Sequence, residues 1–138
     1  MILLDTNLLI YASDERSSQC KWARRTIADA VAGEGAAVNA ISVAELCVGD
    51  AEPERVADRI CGWGVEVLDV PAAAAEVSAR AYLAYRRRRK ANSGKDSPLV
   101  PLPDFFIGAH AQIMGWTWAT ADDARFRTYF PKVSLTTP

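Results

Sequence analysis

Four acidic residues stand where short apolar runs meet helical stretches. Asp5 follows Ile2-Leu3-Leu4, Glu45 lies one turn into the helix behind Ala36–Ala40, Asp104 opens a helix, and Asp122 follows Trp116–Ala119 through Thr120-Ala121. In an open parallel sheet, ligands bind outside the carboxyl ends of the strands. If the first, second and fourth strands are neighbours, all four side chains converge on one pocket there. Crowded carboxylates raise one another's pKa and cannot all stay ionised unaided. A hard divalent cation relieves that conflict, and Mg2+ or Mn2+ binds through a few carboxylates plus a substrate phosphate. The expected chemistry is therefore metal-assisted work on a phosphate group.

Each acid also has a purely structural reading. Asp5 fits the cap of a short helix starting at Leu8. Asp104 follows Pro103 in a first helical turn, where the macrodipole favours any acid. Ser42-Val43-Ala44-Glu45 has the pattern of a capping box, with Glu45 satisfying a backbone donor. Asp122 and Asp123 fit the cap of the next helix. The coincidence of all four at strand ends favours a site.

The elements that must position them alternate in type. Ile2-Leu3-Leu4 reads as a central parallel strand covered on both faces. Further strands are predicted at Ala36–Ala40, Val65–Val70, Trp116–Ala119 and Val133–Leu135. Helices are predicted from Ser17 to Val31, from near Ser42, from Pro53 to Gly62, from Pro71 into a basic run, over Asp104–Met114 and over Asp122–Tyr129. Asn92–Pro103, with its three prolines, reads as a loop. This alternation predicts an α/β fold: a single three-layer α/β/α domain over 1–138 around a mainly parallel five-stranded sheet.

Composition narrows the field. With 138 residues, half of them hydrophobic, the chain suits one self-sufficient core. No apolar run reaches the roughly 20 residues that span a bilayer. MILLDTNLLI carries an acid and no basic start, so a secretory signal is not expected and a cytoplasmic location is. Cys20, Cys47 and Cys61 lack paired ligand spacing and are expected to be ordinary buried thiols. Trp63, Trp116 and Trp118 are expected in the core. A net charge of −1 gives no general nucleic-acid signal, but Arg86-Arg87-Arg88-Arg89-Lys90 concentrates five of the 16 basic residues. That run reads either as the solvated end of a helix or as phosphate contacts to a nucleic-acid strand. His110 lies about 120° around the helix from Asp104 and is not expected in the site.

The four acid-bearing segments resemble the motifs of PIN-domain nucleases. Leu3-Leu4-Asp5-Thr6-Asn7-Leu8-Leu9-Ile10 looks like the opening motif, and Ile41 to Gly49 matches the second, with Ser42, Glu45 and Leu46 in place. Asp104-Phe105-Phe106-Ile107-Gly108-Ala109-His110-Ala111 is similar to the third. Thr120-Ala121-Asp122, followed by Arg125 to Pro131, is similar to the fourth and to the tail of the bacterial toxin branch. Many relatives carry Arg or Asn where this chain has Ala121, a departure that touches a substrate contact and not the carboxylate. The Thr–x–Asp spacing selects Asp122 over Asp123.

The resemblance implies an Mg2+- or Mn2+-dependent endoribonuclease of the VapC type, the toxin of a toxin–antitoxin pair. Asp5, Asp104 and Asp122 would hold metal, and Glu45 would complete the outer coordination or orient water. Thr6, Asn7, Ser42 and Thr120 would hold the carboxylates by hydrogen bonds. The expected partners are an RNA substrate, a cognate VapB-type antitoxin and a second copy in a homodimer, with no membrane. Two alternatives remain: a haloacid-dehalogenase-like phosphohydrolase, or a non-catalytic RNA- or protein-binding module. The first needs a second Asp two residues after Asp5, where Asn7 stands.

Overall fold

The apolar run Ile2–Leu4 becomes β1, the central strand of a five-stranded sheet. The structure, a computed structural model, describes residues 1–138. The other strands are β2 (Ala36–Asn39), β3 (Val65–Leu68), β4 (Thr117–Ala119) and β5 (Leu135–Thr136), in the order β3-β2-β1-β4-β5. Every pairing is parallel, with Leu3 opposite Ala37 on one side and Trp118 on the other. The sheet expected to be mainly parallel is therefore wholly so. β1 has β2 and β4 as its neighbours, the arrangement that brings three strand ends together.

Helices α1 (Thr6–Ser13), α2 (Cys20–Ala32), α3 (Ala40–Val48), α4 (Val56–Gly62), α5 (Ala74–Ser93), α6 (Pro103–Met114) and α7 (Asp123–Tyr129) connect the strands. A turn of 3-10 helix, Pro53–Arg55, leads into α4. Successive strand residues point to opposite faces, so Leu3 and Leu4 seed separate cores. Leu3 joins Ala37, Tyr82, Phe105, Trp118 and Phe130 under α5, α6 and α7. Leu4 joins Leu8, Ile27, Val38, Val56 and Ile60 under α1, α2 and α4. Helix α3 touches both, through Ile41 on one side and Val43 and Leu46 on the other. This is the expected three-layer α/β/α arrangement.

Several boundaries differ from the sequence expectation. Helix α3 starts at Ala40, because Asn39 caps it: its Oδ1 accepts the N–H groups of Ile41 (3.1 Å) and Ser42 (3.3 Å). A long α5 runs through the basic segment to Ser93 and stops at Gly94, whose φ of 67° is a left-handed closure suited to glycine. The last strand begins at Leu135 instead of Val133. Trp118 is wholly buried and Trp116 packs on the His110 ring, but Trp63, expected in the core, is exposed. The three cysteines are free thiols. Only Cys20 is buried, while Cys47 is half-buried and Cys61 exposed. No helix is long and apolar enough to cross a membrane.

Candidate active site

The carboxyl edge of the sheet opens into a pocket of about 250 Å³ whose walls include Asp5, Glu45, Asp104 and Asp122. Each acid arrives on a different element. Asp5 is the first residue after β1, and Glu45 sits within α3, which follows β2. Asp104 lies in the first turn of α6, and Asp122 stands between β4 and α7. Thr6, Asn7 and Arg125 complete the polar lining. The fold thus gathers four residues spread from position 5 to position 122.

The capping alternatives do not describe Asp5, Glu45 or Asp122, while Asp104 does sit in a helical first turn. Asp5 and Asp122 occupy N-cap positions, but neither side chain makes the capping hydrogen bond. There is no capping box at Ser42–Glu45, because Asn39 caps α3. Glu45 instead accepts the hydroxyl hydrogen of Thr6.

Asp5 is the most deeply held of the four, at 3% exposure. Its Oδ2 accepts the Thr120 hydroxyl (2.5 Å) and the Asn7 amide (2.8 Å). Asn7 also reaches Thr120 Oγ1 (3.3 Å) and accepts the Ala121 N–H (3.3 Å), and Asp122 N–H donates back to Thr120 Oγ1 (3.1 Å). The ends of β1 and β4 are therefore one hydrogen-bonded unit. Burial pushes the Asp5 carboxyl up to about 7; the Thr120 hydroxyl opposes this, and the Asp104 and Glu45 charges reinforce it.

Thr6, Asn7 and Thr120 each bond a site carboxylate, but Ser42 does not. Its Oγ is buried without any hydrogen-bond partner, which corrects the expected role. His110 lies outside the pocket, its Nδ1 3.4 Å from the Asn39 amide, and burial pulls its pKa below the usual value. Arg86 to Lys90 line a different cavity or the surface of α5.

Sequence reasoning missed the pocket's cation. Arg125 on α7 contacts Asp104 and reaches Asp122 Oδ2 at 3.1 Å, with its guanidinium carbon 4.7 Å from the Phe126 ring centre. The i,i+3 spacing from Asp122 was the available signal. No three ligating side chains stand close enough together to cage an ion. The donor chemistry still fits a hard divalent cation. All the acidic donors are carboxylate oxygens, and no basic side chain pairs with the buried Asp5.

A parallel three-layer fold with carboxylates converging at its strand ends defines the class of this protein. The chain belongs to the PIN domain family, whose profile matches residues 2–130. Solved structures share the fold. VapBC2 from Rickettsia felis, bound to a DNA fragment from its promoter, superposes with a TM-score of 0.67 at 19% identity, covering 100% of this chain and 99% of that one. DNA-bound VapBC from Salmonella typhimurium gives 0.64 at 23%, covering 99% and 96%. FitAcB from Neisseria gonorrhoeae gives 0.64 at 22%, covering 100% and 98%. No curated protein matches the sequence.

Proposed function

We propose that this protein is a divalent-metal-dependent endoribonuclease of the VapC type, neutralised by a cognate VapB-type antitoxin. The observation that carries the reading is the convergence of Asp5, Glu45, Asp104 and Asp122 on one pocket. Support for the toxin comes from structural neighbours that are VapBC and toxin–antitoxin complexes. A homodimer and a cytoplasmic location accompany this reading.

Asp5, Asp104 and Asp122 would hold Mg2+ or Mn2+, with Glu45 at the edge of the coordination. When bound, the metal lowers the pKa of a water molecule and neutralises charge on the scissile phosphate. Asn7 and Thr120 fix Asp5, and Thr6 fixes Glu45, so two of the carboxylates are held before any ligand arrives. Arg125 already occupies one oxygen of Asp104 and one of Asp122, the carboxylates a cation would also use. The phosphohydrolase alternative fails at Asn7, an amide that donates to Asp5 and has no acidic proton for a leaving group.

The test is cleavage of RNA with Mn2+ and in excess EDTA, by wild type and by Asp5→Asn. Cleavage by wild type with Mn2+ alone is expected. Full activity in EDTA or in Asp5→Asn overturns the nuclease reading. Expression without the antitoxin is expected to arrest growth of a bacterial host, and co-expression to relieve it. Harmless expression of an active nuclease would leave the enzyme and remove the toxin.

A further inference from the structure

A second polar cavity, of about 250 Å³, lies between the C-terminal part of α5 and the segment that follows it. Its walls include Arg86, Arg87 and Lys90 from the helix and Asp96 and Ser97 from the loop. Two features set it apart from a solvated helix end. Ser97 is 8% exposed, and its Oγ has no hydrogen-bond partner. Arg86 is half-buried, and its Nε is likewise buried and unpartnered. A buried donor without a partner is costly, and here two such groups from different segments border one cavity. The only acid present, Asp96, is paired with Lys90 at 3.2 Å. Arg86 and Arg87 have no acidic partner.

Two free guanidiniums, an ammonium and a hydroxyl donor around a small cavity suit a tetrahedral oxyanion with several acceptor oxygens. We infer that Arg86, Arg87, Lys90 and Ser97 form a phosphate-binding subsite that takes a backbone phosphate of the RNA strand. The inference rests on the RNA reading above and adds a defined contact to it. Position supports a strand as the source of the phosphate. Ser97 and Asp104 are seven positions apart in the chain, a reach of at most about 25 Å. The Tyr82 hydroxyl also ties α5 to Pro98 O (2.9 Å), while its ring meets Phe105 edge-on beside Asp104. A strand a few nucleotides long therefore spans from this cavity to the acidic pocket. Arg88 and Arg89, exposed on the same stretch of helix, are outside the cavity, so the subsite takes three of the five basic residues and leaves two.

The experiment measures binding of a short single-stranded RNA in EDTA, over a range of salt, and cleavage separately with Mn2+. The double variant Arg86→Gln/Arg87→Gln is expected to lower the log–log salt slope by about 0.7, one phosphate contact on a single strand. Ser97→Ala should weaken binding about tenfold with the slope nearly unchanged, since a neutral donor to a charged group is lost. Arg87→Gln alone, at an exposed position, reads the same effect without any burden on folding. Arg88→Gln/Arg89→Gln should leave the slope unchanged. Equal losses from both parts of the run, or none from either, overturn the subsite. Binding of inorganic phosphate that Ser97→Ala abolishes, with RNA affinity untouched, makes it a free-anion site and overturns the RNA assignment. Loss of RNA binding in a chain that never cleaves RNA with Mn2+ supports the subsite while refuting the nuclease reading.

Discussion

Thr120, the residue after β4, gives its hydroxyl hydrogen to Asp5, the residue after β1, across 2.5 Å. Both groups are buried, at 0% and 3% exposure. The bond favours the ionised carboxyl, yet burial outweighs it, so that the Asp5 carboxyl sits near 7. The pocket therefore holds an acid whose charge costs the fold stability.

That cost has a defined pH signature. Between the ordinary value of 3.8 and about 7, the native Asp5 keeps a proton that the unfolded chain releases. Stability must then fall as pH rises through this window, with the full penalty present above it. Asn at position 5 removes the charge and still accepts from Thr120. In EDTA, Asp5→Asn should match wild type near pH 4 and exceed it at pH 8 by about 2–4 kcal/mol. Urea unfolding at the two pH values checks this; an equal gap at both would show that Asp5 titrates normally.

Arg125 stands against Asp104 and Asp122, so it should compete with a cation for the same carboxylates. Arg125→Gln is expected to tighten Mn2+ binding about three- to tenfold, a modest gain because the ion pairs are only partly buried. Calorimetric titration of the metal reads the change. Weaker binding in the variant would mean that Arg125 holds the two carboxylates in place for the ion instead of opposing it.

Gly108 tests the packing beneath the site. A Cβ there would lie 2.6–2.9 Å from three atoms of the Phe130 ring, which is itself wholly buried. Alanine gains up to about 1 kcal/mol of helix preference over glycine. Overpacking of a rigid aromatic ring outweighs that, so Gly108→Ala should lose about 1–2 kcal/mol overall in urea unfolding. Phe130→Leu in the same chain should recover part of the difference.

The acids were legible because Asp5 and Asp122 follow short apolar strands while Glu45 and Asp104 lie within the opening turns of helices, and a parallel α/β fold puts strand ends and helix starts on one edge. Arg125 was not, since an arginine three residues after an aspartate also describes an ordinary surface pair. The start of α3 was misplaced because two capping patterns overlap. Asn39 and the Ser42–Glu45 box are both sound locally, but Asn39 takes the cap, which puts Ser42 inside the helix and leaves Glu45 to accept from Thr6. Trp63 was grouped with Trp116 and Trp118, of which only Trp118 is wholly buried. Trp63 sits between Gly62 and Gly64, whose φ of 80° turns the chain toward β3 and leaves the indole outside.

Glu45 carries the last and most discriminating prediction. As a capping-box member it would lose little on change to Gln, and Ser42→Ala would cost about 1 kcal/mol of cap stability. The observed contacts reverse the second expectation. Ser42 Oγ is buried without a partner, so Ser42→Ala should be neutral or stabilising by up to about 1 kcal/mol. Asn39→Ala, which deletes the true cap, should cost about 1 kcal/mol or more. Glu45→Gln keeps an oxygen that accepts from Thr6 and removes only the charge. Its unfolding free energy should stay within about 0.5 kcal/mol of wild type, as for a partly exposed side chain. If the charge serves the metal pocket, cleavage of RNA should fall about 100-fold, equivalent to about 2.7 kcal/mol of barrier. Unfolding and cleavage measured on the same three variants separate the roles. A fully active Glu45→Gln enzyme would leave Asp5, Asp104 and Asp122 as the whole of the site.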